Sequence, residues 1–251
     1  MKKIILPFLA FILSYGVSAQ GILDKVKKQT SKDSSGILSG VSKAIGGGGS
    51  SNLSNAEIIS GLKEALKIGT DSTTSRLSKV DGFFTNQAIK ILMPEEAKKA
   101  EQTLRSLGMS ALVDKAILSM NRAAEDAASG VTEIFWDAIT NMTITDGLSI
   151  LRGGDHAATD YLKKATSASL QQKMAPVIKA SLDKVNATEY WKDVFTAYNR
   201  VSRKQVNTDL TAYVTDRAMN GIFYSVAEEE QKIRKDPKAQ VTDLLKKVFA
   251  K

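Results

Sequence analysis

The residues best placed to do chemistry lie in one run, Met120-Asn121-Arg122-Ala123-Ala124-Glu125-Asp126. Asn121 and Glu125 are four apart, which on a helix puts an amide and a carboxylate on one face, and the alanines beside them leave that face uncrowded. Such a pair can line a polar pocket, or it can form a buried polar network that fixes helix packing. Arg122 is in register to pair with Glu125 or Asp126. Asp155, after Gly153-Gly154, is the second carboxylate of interest. With Glu125 it could act as a proton donor and base pair in a hydrolase or lyase, if their surroundings push the two pKa values apart. Glu125 with Asp146 or Asp155 would also suit a hard cation, although their spacing does not single one out.

Other chemistries find little material. The chain has a single histidine, His156, and no cysteine, which excludes thiolate metal sites, thiol catalysis, disulfides and a lipid carried on an N-terminal cysteine. His156 follows Asp155 at a predicted helix start and reads as a solvent-exposed first-turn residue. There is no Gly-x-Ser-x-Gly elbow, phosphate-binding loop or His-Glu-x-x-His motif, and no cofactor follows from the residues. Gly153-Gly154-Asp155 could suggest an anion nest, but the Asp155 carboxylate would fill the place of the anion, so a helix cap is expected there. Glu228-Glu229-Glu230 beside Lys232, Arg234 and Lys235 reads as a solvated charged face. The tryptophans, with Tyr190, Tyr198, Tyr213 and Tyr224, fall on or beside apolar stripes and read as core and rim.

The elements that position these groups are predicted to be helices. Ser54 with Glu57 forms a capping box, followed by Ile58, Leu62, Ala65 and Leu66 at helical steps. Asp81-Gly82-Phe83 is a turn. Pro94 with Glu95 and Glu96 opens a helix that stops at Gly108. Ser110 is expected to cap a long helix through Val113, Ile117, Met120 and Ala124 that continues to Met142 with a kink near Gly130. A short helix after Asp146 ends at Gly153-Gly154. The helix after Asp155 should bend or break at Pro176, and two more cover about Thr188–Val201 and Asp209–Arg234. Val241, Leu244, Leu245, Val248 and Phe249 form a final apolar stripe. No segment alternates as a strand does, so the fold class is all-α, one multi-helix domain of about seven to nine helices over residues 54–251.

Two segments precede that domain. Residues 1–19 carry Lys2 and Lys3, an apolar run from Ile4 to Leu13 and the small residues Val17-Ser18-Ala19, the pattern of a secretory signal peptide cleaved after Ala19. The run is too short for a comfortable membrane span, so an exported, periplasmic protein with no transmembrane segment after cleavage is expected. Residues 20–53 are rich in Gly, Ser and Lys, include Gly46-Gly47-Gly48-Gly49-Ser50-Ser51, and read as a flexible linker. Its lysines could give weak contact with an anionic membrane surface. The formal charge of +8 loses two with the leader and is otherwise dispersed, without the concentrated basic face of a nucleic-acid binder.

From Leu62 to Phe249 the chain resembles a bacterial family known as domain of unknown function 4197. The resemblance is carried by Leu62-Lys63-Glu64-Ala65-Leu66, Asp81-Gly82-Phe83 with Asn86, Met120-Asn121-Arg122-Ala123-Ala124-Glu125, and Gly154-Asp155 with Ala157-Ala158-Thr159 and Tyr161. Towards the end it is carried by Ile222-Phe223, Ala227-Glu228-Glu229-Glu230, Ile233-Arg234 and Leu244-Leu245-Lys246-Lys247-Val248-Phe249. Gly147 departs from the alanine expected after Asp146. The resemblance implies an exported, helical, envelope-associated protein and assigns no activity. The leading expectation is a non-enzymatic protein that binds a small ligand or an envelope partner in a groove between helices. Asp81, Asn86, Asn121, Arg122, Glu125, Asp155, Thr159 and Tyr161 would line it, and the Glu125/Asp155 hydrolase or lyase is the alternative.

Overall fold

The computed structural model describes residues 54–201 and 208–236. The expected leader, the linker and the Val241–Phe249 stripe lie outside the described residues. Among the described residues there are eight α-helices and no strand: α1 (Asn55–Leu77), α2 (Lys98–Ser106), α3 (Ser110–Ala128), α4 (Thr132–Thr140), α5 (Ile144–Arg152), α6 (Ala157–Asp183), α7 (Ala187–Val201) and α8 (Leu210–Lys235). A single 3₁₀ turn, Glu95–Ala97, precedes α2.

The ends of α1 and α2 follow local chemistry. Ser54 accepts from the Glu57 N–H while the Glu57 carboxylate accepts from the Ser54 N–H at 2.8 Å, the expected capping box. After α2, Gly108 takes φ +80, the left-handed conformation in which glycine ends helices at least cost. Thr143 and Asp146 cap α5 reciprocally, and Asp209 caps α8 by accepting from the Ala212 N–H at 2.9 Å.

Three local expectations are corrected. Met109, not Ser110, is the N-cap of α3, and it makes no side-chain cap bond. The helix expected to kink near Gly130 stops, with α3 and α4 separated by Ser129–Val131. A Cβ at Gly130 would meet the Lys173 side chain at 3.2 Å, so α6 passes close to that break. Conversely, α6 runs through Pro176 without interruption. Pro176 and Gln172, whose carbonyl loses its partner, both lie on the exposed side, while Leu162, Thr166, Leu170, Met174, Ile178 and Leu182 form a buried stripe opposite. Water can serve the orphan carbonyl, and the buried stripe holds the helix together.

That stripe makes α6 the central helix, packed against α3, α4, α5, α7 and α8, while α8 also packs on α1, α3 and α7. Phe135 and Phe223 meet edge to face at 6.1 Å in the core. Glycine permits two close approaches. A Cβ at Gly221 of α8 would lie 2.7 Å from the Phe83 ring, and one at Gly147 of α5 would lie 2.3 Å from Ile59 Cδ1. Gly147, where alanine was expected after Asp146, thus seats α5 close against α1.

Candidate functional site

Between α1 and the 3₁₀ turn, residues 78–94 form no regular element, yet Phe83, Ile89, Ile91 and Met93 are buried. A buried stretch without helix or strand must find other partners for its N–H and C=O groups. Side chains of α3 supply them. Glu125 Oε1 accepts from the N–H groups of Phe83 at 3.0 Å and Phe84 at 3.1 Å. One turn earlier, Asn121 Oδ1 accepts from the Ile91 N–H at 2.9 Å and its Nδ2 donates to the Ile91 carbonyl at 2.8 Å. A further Nδ2 bond reaches the Ile117 carbonyl at 2.7 Å. Asn121 is fully buried and Glu125 only 3 % exposed.

The Glu125 charge is balanced by Arg122, whose Nη1 donates to Oε2 at 2.6 Å while Nη2 donates to Asp81 Oδ1 at 2.7 Å. These bonds, first to Glu125 and then to Asp81, raise the guanidinium pKa above its ordinary value. Asp81 takes φ +70 at the predicted turn, and the next residue must be small because a Cβ at Gly82 would lie 2.6 Å from the carbonyl oxygens of Arg76 and Leu77. Asn86 accepts from the Ala88 N–H at 3.1 Å, closing a local turn. Phe84 is flanked by two cations, Lys90 Nζ at 3.9 Å from the ring centroid and the Arg122 guanidinium carbon at 5.8 Å.

Asp155 and Thr159 belong to a different network. Asp155 pairs with Lys235, which holds its carboxyl below the usual aspartate range. The expectation that Asp155 caps α6 is corrected: His156 is the N-cap, without a side-chain cap bond, and the cap comes from Glu230 of α8. Glu230 Oε1 accepts from the Ala158 N–H at 3.0 Å, and Oε2 accepts from the Thr159 N–H and hydroxyl, both at 2.8 Å. Arg234 neutralises Glu230 at 2.8 Å and donates to the Ile150 carbonyl at 2.9 Å. Glu230 is therefore buried, not part of a solvated face. A sequence signal existed: Ile222, Val226, Glu230 and Ile233 repeat at helical steps, and all four are buried. His156 is exposed, as expected, with Nε2 3.1 Å from Gln231 Nε2. Tyr161 donates to the Ala138 carbonyl at 3.2 Å, and burial raises its pKa.

The eight residues predicted to share a groove thus divide. Asp81, Asn121, Arg122 and Glu125 converge on the 78–94 segment, with Asn86 inside it. Asp155 and Thr159 meet at the start of α6, and Tyr161 reaches across to α4. Among the described residues no group of three or more His, Asp and Glu could hold a metal ion, and no helix is long and apolar enough to cross a membrane.

A cleft of about 160 Å³ lies among α2, α3, α7 and the start of α8, with Met93 and the turn after α6 completing its wall. Met93, Leu104, Leu112, Met120, Trp191 and Phe195 supply its apolar surface, and Lys115 and Ser119 also line it. Trp191 and Phe195 pack with ring centroids 4.5 Å apart. Two of its lining residues, Leu112 and Val185, are large apolar side chains left exposed. Sequence periodicity did not point to this cleft, because its walls come from four separate helices, the 78–94 segment and the turn after α6.

The fold and these networks define an all-helical protein whose most polar buried groups hold its own backbone. A family model described as a protein of unknown function, DUF4197, matches residues 52–250, and the chain belongs to that family. No curated protein and no solved structure matches it.

Proposed function

We propose that this is an exported, non-enzymatic binding protein of the bacterial envelope, and that it takes the acyl portion of an anionic amphiphile into the apolar cleft. The observation that carries this reading is the cleft itself: apolar walls, large exposed apolar residues among them, and one lysine in its lining. Lys115 is exposed, and Lys184 and Lys192 adjoin the lining residues Val185 and Trp191 in sequence. A chain end buried on Leu112, Met120 and Trp191 would leave its anionic head among those cations.

The non-enzymatic reading is supported by what the best catalytic candidates already do. The Glu125 carboxylate accepts from two backbone N–H groups and from Arg122, and Asp155 pairs with Lys235, so each is committed to a separate network. A general acid or base needs a reachable substrate proton, and these bonds occupy the positions from which Glu125 would act. Export rests on residues 1–19, and the N-terminus of the periplasmic product should read Gln20.

Fluorescence tests the cleft. Trp191 lines it and Trp136 does not, so a Trp136→Phe variant makes emission report on the cleft. Dodecanoate should shift Trp191 emission saturably and displace the probe N-phenyl-1-naphthylamine. Ala116→Trp, which fills the cleft, should abolish displacement with the melting temperature kept. Absence of any shift, or an unchanged titration in Ala116→Trp, would overturn the proposal.

A further inference from the structure

A second cleft, of about 300 Å³, lies between the C-terminal half of α1 and the start of α4, and its lining is more polar than that of the first. Its walls are mostly hydroxyl-bearing residues, among them Thr74, Ser75, Ser129 and Thr132, with one carboxylate, Asp71, and one ring, Trp136.

Trp136 is 41 % exposed, whereas the other tryptophan, Trp191, is 6 % exposed. Leaving so large an apolar ring in water is unfavourable, and its position is fixed by polar contacts as well as packing. Its Nε1 donates to Asp71 Oδ1 at 2.7 Å, and Lys67 Nζ lies over one face of the ring, 5.2 Å from its centroid and outside the cleft lining, so stacking would use the other face. At the base of the cleft, the Thr74 and Thr132 hydroxyls bond to one another at 2.8 Å, tying α1 to α4. The ring, the carboxylate and the hydroxyls are therefore held in place before any ligand arrives.

This combination selects one kind of molecule. An aromatic face carries negative electrostatic potential and attracts polarised C–H groups, while a rim of hydroxyls and a carboxylate receives hydroxyl groups. A pyranose ring presents both, an apolar C–H face and a periphery of hydroxyls. Asp71 disfavours phosphates and other anions, and the lack of aliphatic walls disfavours an acyl chain. We infer that this cleft binds a neutral pyranose unit, with Trp136 as the stacking platform and Asp71 and the neighbouring hydroxyls as hydrogen-bond partners.

The site is independent of the acyl cleft and is tested separately, by saturation-transfer NMR on the intact protein with chitobiose, maltose and cellobiose at millimolar concentration. Transfer to the ring C–H protons of at least one disaccharide is expected. It should be lost in Trp136→Ala, retained in part in Trp136→Phe, weakened in Asp71→Ala, and unchanged in Ala116→Trp. Thermal melting of each variant establishes that it is folded, and Asp71→Ala, which retains the indole but removes its Nε1 partner, carries the test should Trp136→Ala fail to fold. No transfer from any of the three sugars, or transfer that survives unchanged in Trp136→Ala or Asp71→Ala, overturns the assignment.

Discussion

Glu125 and Glu230 solve the same problem in two parts of the molecule. Each is a buried carboxylate that accepts from two successive backbone N–H groups, Phe83 and Phe84 in one case, Ala158 and Thr159 in the other. Each is neutralised by an arginine on its own helix, three residues before it or four after. The difference lies in what is held and how well the arginine is covered. Glu230 completes the first turn of a helix, where N–H groups already lack partners. Glu125 fastens a segment with no regular structure of its own. The Arg234 side chain is 14 % exposed and its other bond goes to a backbone carbonyl, whereas Arg122 is 34 % exposed and shares itself with Asp81, itself 47 % exposed. The same local device thus serves a sealed joint at α6 and a more open one at the 78–94 segment.

Removing either carboxylate should be the sharpest test of that contrast. Glu125→Ala and Glu230→Ala should each cost up to about 3–5 kcal/mol, because two backbone N–H groups and an arginine, part-buried for Glu125 and more deeply covered for Glu230, lose their partner. Glu230→Ala should be the larger, since Arg122 stays bonded to Asp81 whereas Arg234 forms no ion pair with a second carboxylate among the described residues. Urea denaturation measures both, and a larger loss for Glu125→Ala would reverse the comparison. Gly82→Ala should destabilise by about 1–3 kcal/mol, because the new methyl meets backbone oxygens that cannot move aside. Glu→Gln exchanges, at about 1–3 kcal/mol each, should separate the joints by hydrogen exchange. Glu125→Gln should expose the Phe83 and Phe84 amides and spare Ala158 and Thr159, and Glu230→Gln the reverse. Asp81→Ala should cost at most about 1 kcal/mol, as expected for a half-exposed pair.

The smallest effect is that of pH on the exposed aspartates. Asp146 is held below its ordinary range by the Thr143 hydroxyl and N–H, Asp155 by Lys235 and Asp183 first by Lys179. A lowered folded-state pKa gives stability that is complete above the unfolded value, about 3.9, and is lost as pH falls through the folded value. These pairs should therefore leave the melting temperature level from neutrality to about pH 4 and lower it slightly below that. In Lys235→Met the part due to Asp155 should shrink, because Lys235 is the largest cause of the lowered pKa, with His156 and Arg234 adding to it.

Helix existence was legible because apolar stripes repeat over many turns, and the caps at Ser54 and Gly108 announced themselves by residue type. The Asn121-Arg122-Glu125 cluster was legible too as a polar network, but its bonds hold the backbone of the 78–94 segment and not a neighbouring helix, which its spacing did not reveal. Glu230 was hidden by its neighbours. Three consecutive glutamates look alike in sequence, and only the step from Val226 to Ile233 tells that the third faces inward. Pro176 misled for a related reason: its cost depends on whether the deprived carbonyl meets water, and that is a property of the tertiary fold. The clefts were beyond reach, since each needs residues from helices far apart in the chain.

Asn121 and Glu125 grip the 78–94 segment at two places, Phe83 with Phe84 and then Ile91, and they grip the main chain at both. Between those grips Thr85, Gln87 and Ala88 face solvent. A stretch pinned independently at each end can be lengthened in the middle at a cost that grows only slowly with added residues. The peptide bond after Gln87 is accordingly where a foreign epitope or a fluorescent label could be spliced into this protein, opening the small turn that Asn86 closes while both grips stay fastened.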